Sequence, residues 1–300
     1  MALAERRQAA RQARRFQEAD SIRDQIAEAG WDVSDSSTGF GLTPRAASLA
    51  VFDSEEEVPV RAADADDCRH SLCIAYHGWP ADVLRLLTTV CAGAPPGSLE
   101  VILGIADGAE DPPPELLGLD LPALRRRPSA VRVRGAGQAQ AYNAAIKQAG
   151  GTVIHVVEPS LQFRHEVLVA AEATLRDPAV GATGPFGLDT EDWRDFHPSP
   201  GPDVAALEYL VSFRRGDLLR IGPMDVAFRY YRNLDLDFSR QVVAAGFSLR
   251  VYRAEVTRHV HRLWDSTDAA DRERLSRRNF NRMLDRWVRR GEGSSAPPPA

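Results

Sequence analysis

Between Ser71 and Glu158 the chain alternates short apolar runs with helical patterns, and this alternation constrains the fold more than any other feature. SLCIAY (71–76) precedes a helical pattern over 81–91, and SLEVILGIADG (98–108) follows. After a proline-rich loop at 111–114 come VRVRG (131–135), the helical QAQAYNAAIKQAGG (138–151) and TVIHVVE (152–158). Apolar runs bounded by glycine and proline are buried strands, and the segments between them carry helical spacing. Strand–helix alternation predicts an α/β fold: a mostly parallel sheet flanked by helices, joined by right-handed crossovers. Such sheets meet their ligands at the carboxyl ends of the strands. Asp107 and Glu158 each close a strand, so both stand where a ligand is expected.

The flanks are organised differently. Over 5–29 apolar residues recur at Phe16, Ala19, Ile22, Ile26 and Ala29, which predicts a helix stopped by Gly30. Residues 31–42 read as two short strands around a Ser/Thr/Gly turn. Together, 1–47 form a small helix–hairpin appendage. The acidic DSEEEVPVRAADADD (53–67) marks 48–69 as a linker, and 70–265 form the main domain. A last helix is expected within 266–290, with Phe280, Leu284, Trp287 and Val288 on one face, and 291–300 as a disordered tail.

Composition narrows the classes. With 44% hydrophobic and 26% charged residues the chain is an ordinary globular protein. A net charge of −5 argues against nucleic acid as the partner of the whole chain. Cys68, Cys73 and Cys91 form no CxxC pair and are expected to be reduced. No apolar run reaches membrane-spanning length and the start has no apolar signal core, which predicts a cytoplasmic location and leaves room for a peripheral membrane contact.

From about Ser71 to His261 the ordered landmarks SLCIAY, IADG, AYNAAIKQAGG, a strand ending in an acid, FRRGDLLRIGPMD and NLDLDFSRQVVAAGF resemble family 2 glycosyltransferases of the GT-A fold. FRRGDLL, RHVHRLW and RERLSRRNFNRMLDRW look like an actinobacterial subgroup, in which the metal loop reads Asp-x-Ser; here it reads Glu158-Pro159-Ser160. Residues 13–42, with EADSIRDQI, resemble the C-terminal appendage of cysteinyl-tRNA synthetases; the synthetase's catalytic motifs are absent, so no aminoacylation is implied. The main resemblance implies an inverting transferase. It would move a sugar from a nucleotide-diphosphate sugar to a hydroxyl of a glycan, lipid or small-molecule acceptor, with Mg²⁺ or Mn²⁺ at the diphosphate.

Each candidate residue has a chemical reason and a plainer alternative. Asp107 is placed by the resemblance against the base or ribose, where a carboxylate accepts hydrogen bonds; before Gly108 it is also a turn former. Asn143 is a donor-binding amide or a helix-packing one. Glu158 is the diphosphate–metal residue, because hard cations take one or two carboxylates plus phosphate and water; Ser160 adds a neutral oxygen. His259 and His261 alternate on an extended segment, which puts both rings on one face. The resemblance brings one of them to the metal or diphosphate, and the alternative is a stacking histidine beside Trp264. Asp235 falls where the family carries the aspartate of a Glu-Asp pair, reduced to one acid by Leu234, and is the implied base; a helix cap is the alternative. Asp237, nearer the helix, is more cap-like. Arg214 and Arg215 offer planar forks for phosphate, and Asp225 orders the acceptor-side loop.

Two other functions remain open. A non-catalytic nucleotide- or glycan-binding module fits the altered loop and the unpaired Asp235. An RNA or synthetase-partner contact through the appendage fits five arginines against one acid in the first fifteen residues, but the count is seven of each sign by Arg45, which disfavours a phosphate-driven contact.

Overall fold

The computed structural model describes residues 2–28, 31–36, 39–44, 49–61 and 68–288. Its centre is an eight-stranded sheet. From one edge the order is Ser248–Val251, Val180–Gly184, Leu210–Arg214, Gly151–Val157, Cys68–Tyr76, Leu99–Ile105, Ser129–Val133 and Leu49–Phe52. Only Leu210–Arg214 runs antiparallel to its neighbours. The fold class expected from the alternation is the one observed.

The sheet is covered on both faces, as parallel sheets require. Side chains alternate across it: Leu72 and Ile74 enter a core with Leu86, Leu87 and Leu168, while Cys73 and Ala75 enter the opposite core with Ile154, Phe213 and Phe238. The helices Pro80–Cys91 and Glu166–Thr174 cover the first face, and Gln138–Lys147 and Leu234–Ala244 the second. Gln138–Lys147 lies so close that a Cβ on Gly104 would sit 1.8 Å from the Ala141 carbonyl oxygen, so only glycine fits there.

Three expectations change. The stretch read as a linker begins with the edge strand Leu49–Phe52, because LAVF pairs in parallel with Ser129–Val133. Glu55 is then buried beside Lys147, whose Nζ donates to the Glu55 carbonyl at 2.7 Å and lies 3.3 Å from its carboxylate. The first helix is two, Ala2–Gln12 and Phe16–Glu28, broken where Arg14 adopts φ 58°. They form a hairpin that buries Ala4, Ala10, Ala19, Ile22 and Ile26, while Phe16 stays exposed. The last helix runs Ala269–Trp287, capped by Asp268 through the Ala270 N–H at 2.8 Å.

The strands Trp31–Ser36 and Gly39–Pro44 pair as expected. Arg127 lies 5.1 Å over the Trp31 ring and ties the appendage to the main domain. All three cysteines are free. Among the described residues no helix is long and apolar enough to cross a membrane. Residues 62–67 of the expected linker and the tail 291–300 lie outside the described residues.

Candidate functional site

At the carboxyl ends of the strands lies a cleft of about 920 Å³. The sheet side supplies Glu158, Glu208, Tyr209 and Asp235; the segments after the sheet supply Trp264, Arg272, Arg277 and Phe280. One wall is thus rich in acids, the other in aromatic rings and arginines.

Glu158 leaves the strand Gly151–Val157 with its N–H donating to the Tyr209 carbonyl at 2.9 Å. The Pro159 turn folds Ser160 back, so that its N–H (3.0 Å) and its hydroxyl both donate to Glu158 Oε2. Ser160 is spent on bracing Glu158. That leaves Oε1 for a ligand, and burial pushes the carboxyl upward from its ordinary value. His261 Nε2 lies 3.7 Å from this Oε1. The ring stacks on Tyr231 with centroids 4.0 Å apart, and Nδ1 accepts the Trp264 N–H at 3.2 Å, capping the helix Arg262–Ser266. Burial lowers the imidazole to about 4, so it is neutral at pH 7. A neutral ring that accepts at Nδ1 carries its proton on Nε2. His261 therefore holds a buried N–H beside Glu158, and the ring does not itself line the cleft.

The strand Val256–Arg258 ends before the histidines, so the expected shared face is lost. His259 is exposed and its Nε2 sits 2.7 Å from Gln162 Oε1; it does not line the cleft.

Asp235 and Asp237 separate in the same way. Two residues apart on a helix point about 200° apart. Asp235 opens into the cleft, its Oδ1 accepting the Leu236 N–H at 3.0 Å, and burial raises it to about 6. Asp237 faces inward, fully buried, accepting from Trp287 Nε1 at 2.7 Å and from the Arg286 guanidinium. It anchors the last helix and is not a substrate contact.

The remaining candidates are placed away from the cleft. Asp107 stands at its strand end, exposed, with Arg229 Nη2 at 3.5 Å. Asn143 is buried and fully used: Oδ1 accepts the Met224 N–H and Nδ2 donates to the Met224 carbonyl, each at 2.9 Å, with Glu55 at 3.3 Å. Asp225 ties the loop before the helix Leu234–Ala244 to Arg282 at 2.7 Å. Arg214 lies at the amino end of the sheet, opposite Val153, where it donates to Asp217 and to the carbonyls of Leu175 and Val180. Arg215 is buried and donates to the Arg61 carbonyl. The antiparallel direction of Leu210–Arg214 carries both arginines away from the cleft, which the sequence order alone did not reveal.

Glu208 was not singled out. It lines the cleft, and its carboxylate makes no hydrogen bond or ion pair among the described residues. Burial, then the charge of Asp235, raise it to about 7. The available signal was an acid in the otherwise apolar ALEYLVSF. Arg258, 3.9 Å over the Tyr209 ring and hydrogen-bonded to its hydroxyl at 2.6 Å, and Arg232 set positive charge near these acids. Among the described residues no group of three or more His, Cys, Asp or Glu is arranged to hold a metal ion.

No family model matches the chain, and no curated protein does. Solved structures do. S. aureus TarS residues 1–349 align at TM-score 0.50 with 15% identity, over 75% of this chain and 74% of that one. The same TarS fragment in complex with UDP aligns at TM-score 0.51 with 14% identity and the same coverage. At such identities the likeness speaks for the fold, and the fold of this chain is GT-A-like.

Proposed function

We propose that the protein is an inverting glycosyltransferase of the family 2 kind, using a nucleotide-diphosphate sugar, with Asp235 as general base. The observation that carries this reading is the meeting of Glu158 and Asp235 around one cleft at the carboxyl ends of a GT-A-like sheet, with the His261 ring 3.7 Å from Glu158 Oε1 outside the cleft lining. TarS, of similar fold, has been crystallised with UDP.

An acceptor hydroxyl attacks the anomeric carbon while Asp235 takes its proton. The new C–O bond forms as the bond to the diphosphate breaks, and the negative charge passes to the leaving group. Glu158 Oε1 is the open carboxylate oxygen for a divalent cation, Mg²⁺ or Mn²⁺, since such ions accept one protein carboxylate alongside phosphate and water. When bound, that cation offsets the diphosphate's charge. His261 packs its Nε2–H against Glu158 from outside the cleft, and Arg258 and Arg232 add positive charge. A cytoplasmic location, with the acceptor reached in solution or at a membrane surface, belongs to the same reading. The appendage serves as a docking element.

Thermal stabilisation by a panel of nucleotide sugars, with and without Mn²⁺, tests the donor assignment. Asp235→Asn should abolish turnover while keeping donor affinity; full turnover in that variant removes Asp235 as base. The commitment of Ser160 to Glu158 favours a second reading, a nucleotide-binding module without chemistry. Donor binding with neither hydrolysis nor transfer for any acceptor would select it.

A further inference from the structure

Glu208 has a placement that donor chemistry does not explain. Its N–H donates to the Phe186 carbonyl at 3.1 Å, and its own carbonyl accepts the Leu210 N–H at 2.7 Å. That second bond closes a three-residue turn around Tyr209, which sits at φ 62°. Turns of this kind are rare and strained, and a tyrosine in the left-handed region is held there only by its surroundings. The turn is locked from outside by the edge-on Phe186 ring at 5.7 Å and by Arg258 on the tyrosine hydroxyl. Its effect is to turn the Glu208 side chain into the cleft just before the antiparallel strand begins.

There the carboxyl group meets charge but no partner. Asp235 bears on it as a like charge, Arg232 and Arg258 as opposite charges, and none is bonded to it. A half-buried carboxyl with open hydrogen-bonding capacity costs stability until a ligand satisfies it. Glu158 is braced by Ser160, and Asp235 needs only the hydroxyl that reacts. A single-hydroxyl acceptor would leave Glu208 unmatched.

We propose that Glu208 binds a second hydroxyl of the acceptor while Asp235 takes the attacking one, so that the acceptor is a sugar or other polyol. This rests on the transferase reading above and names its acceptor class. The aromatic wall of Trp264 and Phe280 across the cleft suits the apolar face of such a ring.

The test uses the full chain and whichever of UDP-glucose, UDP-N-acetylglucosamine and GDP-mannose gives the largest thermal shift. Transfer to octyl glucoside is compared with transfer to 1-octanol. The wild type should prefer the glycoside by about a hundredfold, because a site built for a hydroxyl rejects the analogue lacking it. Glu208→Gln should cut that preference about tenfold, chiefly through the KM for the glycoside, with the donor Kd moving less than about twofold. Glu208→Asp should recover part of it, which separates a lost contact from a fold defect. An unchanged preference in Glu208→Gln, a donor Kd that weakens in step with transfer, or a wild type that hydrolyses donor yet uses neither acceptor or both equally would overturn the assignment. A wild type that binds none of the three donors brings down the transferase reading itself, a distinguishable failure.

Discussion

The two ends of the central sheet treat charge in opposite ways. At the amino end Glu100 and Arg214 are matched. Glu100 accepts from Ser71 Oγ and the Gly150 N–H, each at 2.5 Å, and from Arg126, while Arg214 spreads its guanidinium over Asp217 and several carbonyls. His155 is held between Ser212 Oγ at 2.7 Å and His70 at 3.0 Å. At the carboxyl end Glu208 has no hydrogen-bond or ion-pair partner among the described residues, Asp235 is held only by backbone N–H groups, and both are pushed up toward neutrality. Matched charges hold the fold; under-matched ones in a cleft are held ready for a ligand. Asp235 and Asp237 show the same contrast within one helical turn.

That contrast can be broken by substitution. The largest effect should come from Asp235→Asn: kcat down about 10²–10⁴-fold with donor Kd unmoved, by product assay and calorimetry. In the wild type, kcat/KM should rise with pH through about 6, because Asp235 must be ionised to accept a proton and burial has raised it to there. A limb near pH 4 would assign the base elsewhere. Glu100→Ala should destabilise the fold by about 3 kcal/mol in a denaturant titration, since buried donors lose their acceptor. Turnover per folded molecule should persist; an equal loss in both would erase the distinction between the two ends. Asp237→Asn should cost about 2 kcal/mol through the weakened Arg286 contact, and should leave the acid limb where it was. The finest comparison is between the histidines. His261→Ala should weaken donor binding about tenfold by freeing Glu158 and uncapping the Trp264 N–H, and exposed His259→Ala less than about twofold.

Much of the architecture was readable because it depends on local patterns. The run VILGI (101–105) is buried on both faces and so is apolar throughout, and the intervening helices carry their own spacing. Glu158 was expected at the cleft from its strand end, and Asp235 from the family resemblance; both line it. What escaped depends on contacts distant in sequence. Leu49–Phe52 looked like linker because its partner strand lies eighty residues on, and the buried place of Glu55 depends on Lys147. Asn143 and Arg214 have the right chemistry for ligands but are already satisfied by Met224 and by the carbonyls near Val180. His259 and His261 diverge because the strand stops at Arg258. Glu208 was hidden for the converse reason: nothing in ALEYLVSF announces that Tyr209 will turn its neighbour inward.

The helix Ala269–Trp287 closes one side of the cleft with Arg272, Arg277 and Phe280, yet it is the last described element of the chain. It is fastened from behind by Asn279 to the Tyr230 and Arg232 carbonyls, by Asp225 and by Asp237. Fastening and cleft-facing positions fall on different faces of one rod. The inward positions Arg272 and Arg277 can therefore be changed without removing a fastening contact, and the acids of the cleft, carried by earlier parts of the chain, stay as they are. On the proposed transferase reading, acceptor preference is separable from the chemistry, and the place to retune it is the nineteen-residue helix Ala269–Trp287.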